Sequence, residues 1–286
     1  MCIRCGTKLT VANSDHIPHL FEMTAVATEH RDRIVSDEEV RQSEQYKIQT
    51  YYRFATKKGK ERSSKAKAIS SDEKTPLLTL EFGRAAELWR INHGWERAEV
   101  PGFTLDIVSG KWSGAAVPDG GNAAGGDQKN LQSGVRVFVR DRRNILVVKV
   151  ERGAGLGDDA FYSLQHAIAR GTCLEFDIDE REIGSEIIGE GSWRRIVYWE
   201  EAEGGTGSLE RWIEEPDALP RITRRALETC HFDPDTGAEV KTESQCHVAC
   251  YECLMTYRNQ PHHDRLDRHA VKDLLMRLAQ GSVKPK

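Results

Sequence analysis

The sequence predicts an α+β fold: mixed or antiparallel sheets with flanking helices and a C-terminal helical module held by four cysteines. Three observations predict it. Runs of β-branched and aromatic residues recur between Tyr46 and Val150, with partial alternation over Tyr46–Ala55. From Asp158 onward, apolar residues at helical spacing alternate with shorter strand-like runs. Four of the seven cysteines fall between Cys230 and Cys253, a grouping that reads as metal ligation rather than chance.

The elements follow in order. Residues 1–30 carry Cys2-x-x-Cys5-Gly6, His16 and His19, a possible zinc-knuckle half-site. A β-rich region is expected over 31–112. Ser36 as N-cap and Glu39 three residues on form a capping box that opens a short helix. Tyr46 to Ala55 then turns to strand-forming residues. Thr56 to Lys67 holds six cations against Glu61 alone and reads as a solvated hairpin tip, or as a phosphate-contacting patch centred on Lys57, Lys58, Lys60 and Arg62. Leu77–Phe82 and Ala86–Asn92 read as two strands. Residues 113–134 are rich in glycine and poor in large apolar side chains, so they are expected to be a flexible loop between two halves. Residues 135–286 are expected to form an α/β region with the zinc module at its end.

Within that region, Val135–Val139 and Ile145–Val150 flank the charged Asp141–Asn144 and suggest a hairpin. Asp158–Arg170 is a helix with Gly171 as its C-cap. Leu174–Ile178 and Arg195–Trp199 read as strands. Helices are expected through Leu209, Trp212 and Ile213, from Pro220 to Glu228, and from His263 to Leu278.

The chain has 286 residues, 38% hydrophobic and 30% charged, with a net charge of −4. No apolar run is long enough to span a bilayer, and the first residues lack the apolar stretch of a secretion signal. A cytoplasmic setting follows, where stable disulfides are disfavoured. The mild acidity argues against a strongly basic coat for nucleic acid.

The strongest chemical signal is Cys230-x15-Cys246-x3-Cys250-x2-Cys253. Four thiolates satisfy one tetrahedral Zn²⁺, and closed four-cysteine sites are structural. His247 lies inside the cluster and is a substitute ligand. Cys2 and Cys5 supply half a site, which His16 and His19 or a second chain would complete. Glu203-Gly-Gly-Thr-Gly207 reads as a tight turn with close backbone packing; a phosphate cradle is the alternative. His262, His263, Asp264, Asp267 and His269 do not have HExxH spacing, and Asp264 reads as a helix N-terminal acid. Cys173 and His166 read as packing residues. No catalytic residues are assigned.

Together, EEAEGGTGSLERW, Cys230, HVACYECLMTYRNQ and LDRHAV resemble the MrfA zinc-binding domain family. Looser resemblance extends upstream through RDRIVSDEEVRQSEQYKIQTYYRF, LWRINHGW, NILVVKV and SLQHAIARG, and so covers about Arg31 to Leu275. That family lies at the C-terminus of superfamily-two DNA helicases and occurs in the DrmB subunit of the DISARM anti-phage system; the DrmB-like branch is the nearer likeness. The resemblance implies that Cys230, Cys246, Cys250 and Cys253 hold one zinc ion. The HFDPDTGAEVKTESQ insertion after Cys230 departs from tighter relatives. No Walker lysine motif or DEAD-type box is present. The resemblance therefore implies a non-catalytic accessory subunit, or C-terminal half, that docks on a separately encoded helicase/ATPase subunit and contacts DNA, in anti-phage defence or DNA repair, without a membrane. A protein-interaction scaffold without nucleic-acid binding is the rival reading.

Overall fold

A computed structural model describes residues 19–24, 46–72, 74–95, 98–115, 130–240 and 246–286. Cys2, Cys5, His16 and the expected Ser36 helix lie outside them. Two compact units are present. One gathers Phe54–Ala86 and Arg142–Lys286, and the other gathers Glu87–Asp141 with the described part of Leu9–Arg53. No described helix is long and apolar enough to cross a membrane.

The first unit is a sheet covered by helices. Its strands are β5 (Ser64–Ile69), β6 (Pro76–Trp95), β9 (Leu131–Val150), β10 (Ile183–Ile188), β11 (Arg195–Glu200) and β12 (Ser282–Pro285), in the order β10-β11-β9-β6-β5-β12. β6 and β9 also supply residues to the second unit. The β10–β11, β11–β9, β5–β6 and β5–β12 pairs are antiparallel. A small ribbon of β3 (Thr56–Lys57) and β4 (Lys60–Glu61) precedes β5.

The helices are α1 (Phe161–Phe176), α2 (Ser208–Glu214), α3 (Ala218–Thr229) and α4 (His269–Ala279). Each buries a stripe at i, i+3, i+4 spacing. α3 buries Leu219, Ile222, Ala226 and Leu227, and α4 buries Val271, Leu274, Leu275 and Leu278. These join Leu164, Ile168, Ile196, Tyr198 and Trp212 in one core. At roughly 1.5–3 kcal/mol per buried large apolar side chain, this core is the dominant stabilising term.

The second unit pairs β2 (Tyr46–Arg53) with the Glu87–Trp95 part of β6. It also pairs β1 (Leu20–Glu22) in parallel, and β7 (Phe103–Asp106) antiparallel, with the first part of β9. β8 (Trp112–Ala115) pairs with β7. Phe103, Val135 and Val137 form its core.

Several elements differ from expectation, each for a physical reason. The two strands at Leu77–Asn92 are one strand. Gly83 leaves room for the Phe54 ring, since a Cβ there would lie 2.3 Å from it. Ala85 takes φ 50° while its N–H donates to Asn144 Oδ1 at 3.2 Å. The hairpin expected around Asp141–Asn144 is likewise one continuous strand, with Asn144 bonded to Glu200 of β11.

Gly171 lies within α1 rather than capping it. A Cβ there would meet the Ile222 carbonyl at 2.4 Å, so the glycine permits close approach of α1 and α3. The strand expected at Leu174–Ile178 is instead the last turn of α1, capped by Asp177 at φ 52°. The expected last helix begins at His269, after a 3₁₀ segment over Tyr257–Arg265. The sequence reading does not include β1, β5, β7, β8, β10 or β12.

Candidate metal centre

The site is built where α3 ends. The His231 N–H donates to Glu228 O at 3.0 Å and the Phe232 N–H donates to Leu227 O at 2.9 Å. This C-terminal cap turns the chain through the left-handed region at His231, φ 61°. Histidine tolerates that region better than most residues, though glycine would be less strained. The turn sends the His231 side chain into the space enclosed by the cysteine loop.

His231, Cys246, Cys250 and Cys253 have donor atoms all within 4.8 Å of one another. Cys246 Sγ lies 3.8 Å from Cys253 Sγ, and His231 Nε2 lies 3.3 Å from Cys250 Sγ. A tetrahedral zinc with thiolate and imidazole ligands has edges of about 3.8 Å between sulfurs and about 3.5 Å between sulfur and nitrogen. The donor set and its spacing therefore fit zinc.

Hydrogen bonds of the chain itself also shape the loop. The Cys250 N–H donates to Cys253 Sγ at 3.0 Å, and the Cys253 and Met255 N–H groups both donate to Cys250 O. Buried Asn259 accepts from the Thr256 N–H at 2.8 Å and donates to Leu254 O at 2.8 Å. Two arginines clamp the ligand segments. Arg170 donates to Cys253 O at 2.5 Å and Tyr251 O at 3.2 Å. Arg268, 2% exposed, donates to Cys230 O at 3.3 Å and Cys246 O at 2.9 Å. Its guanidinium lies over the Phe232 ring.

Electrostatics match a cation-binding cluster. Burial, with the neighbouring thiols, pushes the Cys246 thiol up to about 12, and burial also raises Cys253. Burial opposes ionisation of Cys250 too, but hydrogen bonds from the Cys253 and Cys246 thiols outweigh it and bring Cys250 down. Burial and Arg268 lower the His231 pKa, which favours the neutral imidazole that ligates metals.

Three of the four cysteines expected as ligands are thus brought together. Cys230 stands outside the group: it is fully buried in the core, and burial raises its thiol. Sequence reasoning passed over its neighbour, His231, because it counted thiols. The available signal was a histidine directly after a helix end. His247 contributes only its carbonyl, 2.9 Å from His269 Nε2. His263 Nε2 is held by Asn259 Oδ1 and Thr256 O, and His269 and Asp267 make local bonds. They form no second donor group among the described residues. Cys173 is buried, its thiol pushed up to about 12 by burial and by Glu180 and Asp179.

The glycine-rich turn is already filled. Glu200, fully buried, accepts from Asn144 Nδ2 at 2.8 Å, and from Thr206 Oγ1, Ser208 Oγ and the Leu209 N–H, each at 3.1 Å. Gly205 must lack a side chain, because a Cβ would lie 2.0 Å from Glu200 Oε2. The anion at the start of α2 is this carboxylate, so the tight-turn reading holds.

Lys57, Lys58, Lys60 and Arg62 are all exposed on or beside the β3–β4 ribbon. Lys58 at φ 52° and Gly59 at φ 75° form its two-residue turn. A cleft of about 580 Å³ beside the cysteine loop is lined by His166, Arg170, Arg181, Trp199, Tyr257 and Arg258, among others.

One solved structure, described as the DUF1998 helicase MrfA bound to DNA, is similar at TM-score 0.43 and 9% identity, covering 82% of this chain and 25% of that one. This chain thus spans about a quarter of that chain's length. Comparison with curated proteins finds no match. The family model of the MrfA Zn-binding domain matches residues 164–254, the stretch that carries all four grouped donors, and zinc is the metal that the His/Cys₃ group suits.

Proposed function

We propose that this chain is a zinc-bearing accessory part of a helicase/ATPase system, that it docks on a separately encoded motor subunit, and that it contacts DNA through the β3–β4 ribbon. The observation that carries the reading is the family match over 164–254 together with the donor group inside it. When bound, zinc supplies a closed structural cross-link between the end of α3 and the Cys246–Cys253 loop. Arg268 and Arg170 hold the two segments in register, and the rigid module then presents its surface to the motor.

The ligands in this reading are His231, Cys246, Cys250 and Cys253, with Cys230 as the adjacent alternative. Cobalt substitution separates them: His231→Ala shifts the absorption of a three-sulfur site, whereas Cys230→Ser leaves it unchanged. The opposite pattern assigns Cys230.

A DrmB-like role in DISARM anti-phage defence, in the cytoplasm, is the setting that the family resemblance alone suggests; DNA repair is second. Cys2 and Cys5 are a half-site in this reading. The test is co-purification of the chain with the helicase polypeptide encoded beside it, followed by DNA binding across a salt series. A chain that ignores the helicase but still binds one zinc is a scaffold of another assembly.

A further inference from the structure

The sheet of the first unit ends in two edges, and only one of them is closed. β12 forms the edge at one end of the strand order. The Lys286 N–H donates to Lys65 O at 2.8 Å. Bonding alternates along a ladder, so Lys284 and Ser282 also bond β5, and Val283 and Pro285 turn outward. The Val283 N–H is taken by Pro216 O at 3.0 Å, and Pro285 has none to offer.

β10 forms the opposite edge, with six residues and neither lysine nor proline. It pairs with β11 from Ile183↔Glu200 to Ile188↔Arg195 without a bulge. The Glu201 N–H donates to Glu182 O at 2.8 Å. The same alternation therefore leaves Gly184, Glu186 and Ile188 bonded to β11, and turns the N–H and C=O groups of Ile183, Ser185 and Ile187 outward. No strand among the described residues pairs with them. β10 thus lacks the devices that blunt an edge.

The cleft of about 580 Å³ lies along this edge. Ile183 and Ser185 line it, together with Ala169 and Cys173 of α1 and with Tyr257 and Arg258. The acids in its wall are engaged within the chain. Glu180 pairs with Arg170 at 3.1 Å, Glu201 accepts from Trp199 Nε1 at 2.8 Å, and Asp179 Oδ1 accepts from the Arg181 N–H at 2.8 Å. The exposed guanidiniums of Arg181 and Arg258 have no partner among the described residues. Two cations therefore stand beside an open row of backbone donors and acceptors.

We infer that β10 is the seat of an added strand: an extended, carboxylate-bearing segment of a protein partner that bonds to Ile183, Ser185 and Ile187 and sets its acids on Arg181 and Arg258. In such pairing the main chain supplies affinity, and pockets for alternate side chains supply selection. Ser185 Oγ accepts from Gln165 of α1 at 2.9 Å. The side chain opposite Ser185 on the added strand therefore points to the same face, towards Ala169 and Cys173, where a small apolar group fits. The inference rests on the docking reading above for the choice of partner and adds the surface and the form of the docked segment.

The test measures affinity of the full zinc-loaded chain for the helicase polypeptide encoded beside it, together with amide exchange of the chain alone and in the complex. S185P removes one outward N–H, which an edge strand tolerates; S185A keeps that N–H and removes only the hydroxyl. R181E/R258E changes two exposed side chains and decides the matter if S185P does not fold. The expected result is about tenfold weaker binding for S185P and for R181E/R258E, with S185A within about twofold of the wild type. The Ile183, Ser185 and Ile187 amides should gain protection in the complex. Unchanged affinity in R181E/R258E, with no added protection along β10, overturns this inference and leaves docking through another surface. No binding of the helicase polypeptide by the wild type overturns both. A wild-type dimer that S185P converts to monomer replaces the partner with a second copy of this chain. Protection of β10 by duplex DNA alone replaces the peptide with nucleic acid.

Discussion

The glycine-rich turn at Glu203–Gly207 and the cysteine loop at Cys246–Cys253 look equally suited to holding something, and the structure separates them by what their polar atoms already touch. In the turn, the buried Glu200 carboxylate receives four hydrogen bonds from its own chain. The anion is built in, and nothing further is needed. In the loop, three thiols and an imidazole face one another within 4.8 Å. Two of the thiols are pushed upward by burial and only one is brought down. A set of ligand atoms converging on a common point suits a cation there. The lesson is that a closed polar network marks architecture, whereas convergent thiols and an imidazole mark a metal-binding donor set.

The largest expected effect breaks the loop and spares the turn. Removing zinc by chelation, or replacing Cys250 with Ser, uncouples the end of α3 from the loop. Because structural zinc binding and folding are one process, the loss exceeds about 5 kcal/mol. Circular dichroism melts and limited proteolysis should show the segment after Cys246 opening first, with β11 and α2 retained. A metal-free chain that melts at the same temperature as the zinc-loaded one would falsify the structural role.

A second test concerns a half-buried imidazole beside the loop. His166 lines the cleft beside the loop, and burial, with His262 and His263 nearby, lowers its pKa to about 4. The unfolded chain binds this proton near 6.5, so the folded state holds fewer protons between the two values. The contribution of His166 is fully present above pH 6.5 and is lost as pH falls towards 4, on the order of 3 kcal/mol. His166→Gln should remove most of that slope in denaturant midpoints measured from pH 7 to 4. If the slope survives, other groups drive the acid sensitivity.

Much of this architecture was readable from local pattern, and the failures share a cause. The apolar stripes of α3 and α4 and the expected strand over Arg195–Trp199 follow from residues a turn or two apart. Gly171 misled because a glycine late in a helical pattern resembles a cap, while its actual reason is the Ile222 carbonyl on another helix. Asp141–Asn144 resembled a turn because its charges are exposed, yet Asn144 is fixed by Glu200 far along the chain. His231 was not singled out for the same reason: its place beside the three thiols comes from the left-handed cap at the end of α3. β12 pairs with β5, a strand distant in sequence. Each miss is a tertiary contact overriding a local signal.

The smallest expected effect measures how closed the glycine-turn network is. Ser208→Ala removes one of three donors to Glu200 Oε1, leaving Thr206 Oγ1 and the Leu209 N–H in place. A hydrogen bond to a carboxylate that keeps other partners is worth about 1 kcal/mol here. The melting temperature should therefore fall by about 2–4 °C, with zinc content and cobalt spectrum unchanged. Thr206 also bonds Ser208 Oγ at 2.9 Å, so the freed hydroxyl can turn wholly to Glu200 and limit the loss. A far larger drop, or any loss of metal, would mean that the turn and the metal loop act as one cooperative unit rather than as two separately satisfied sites.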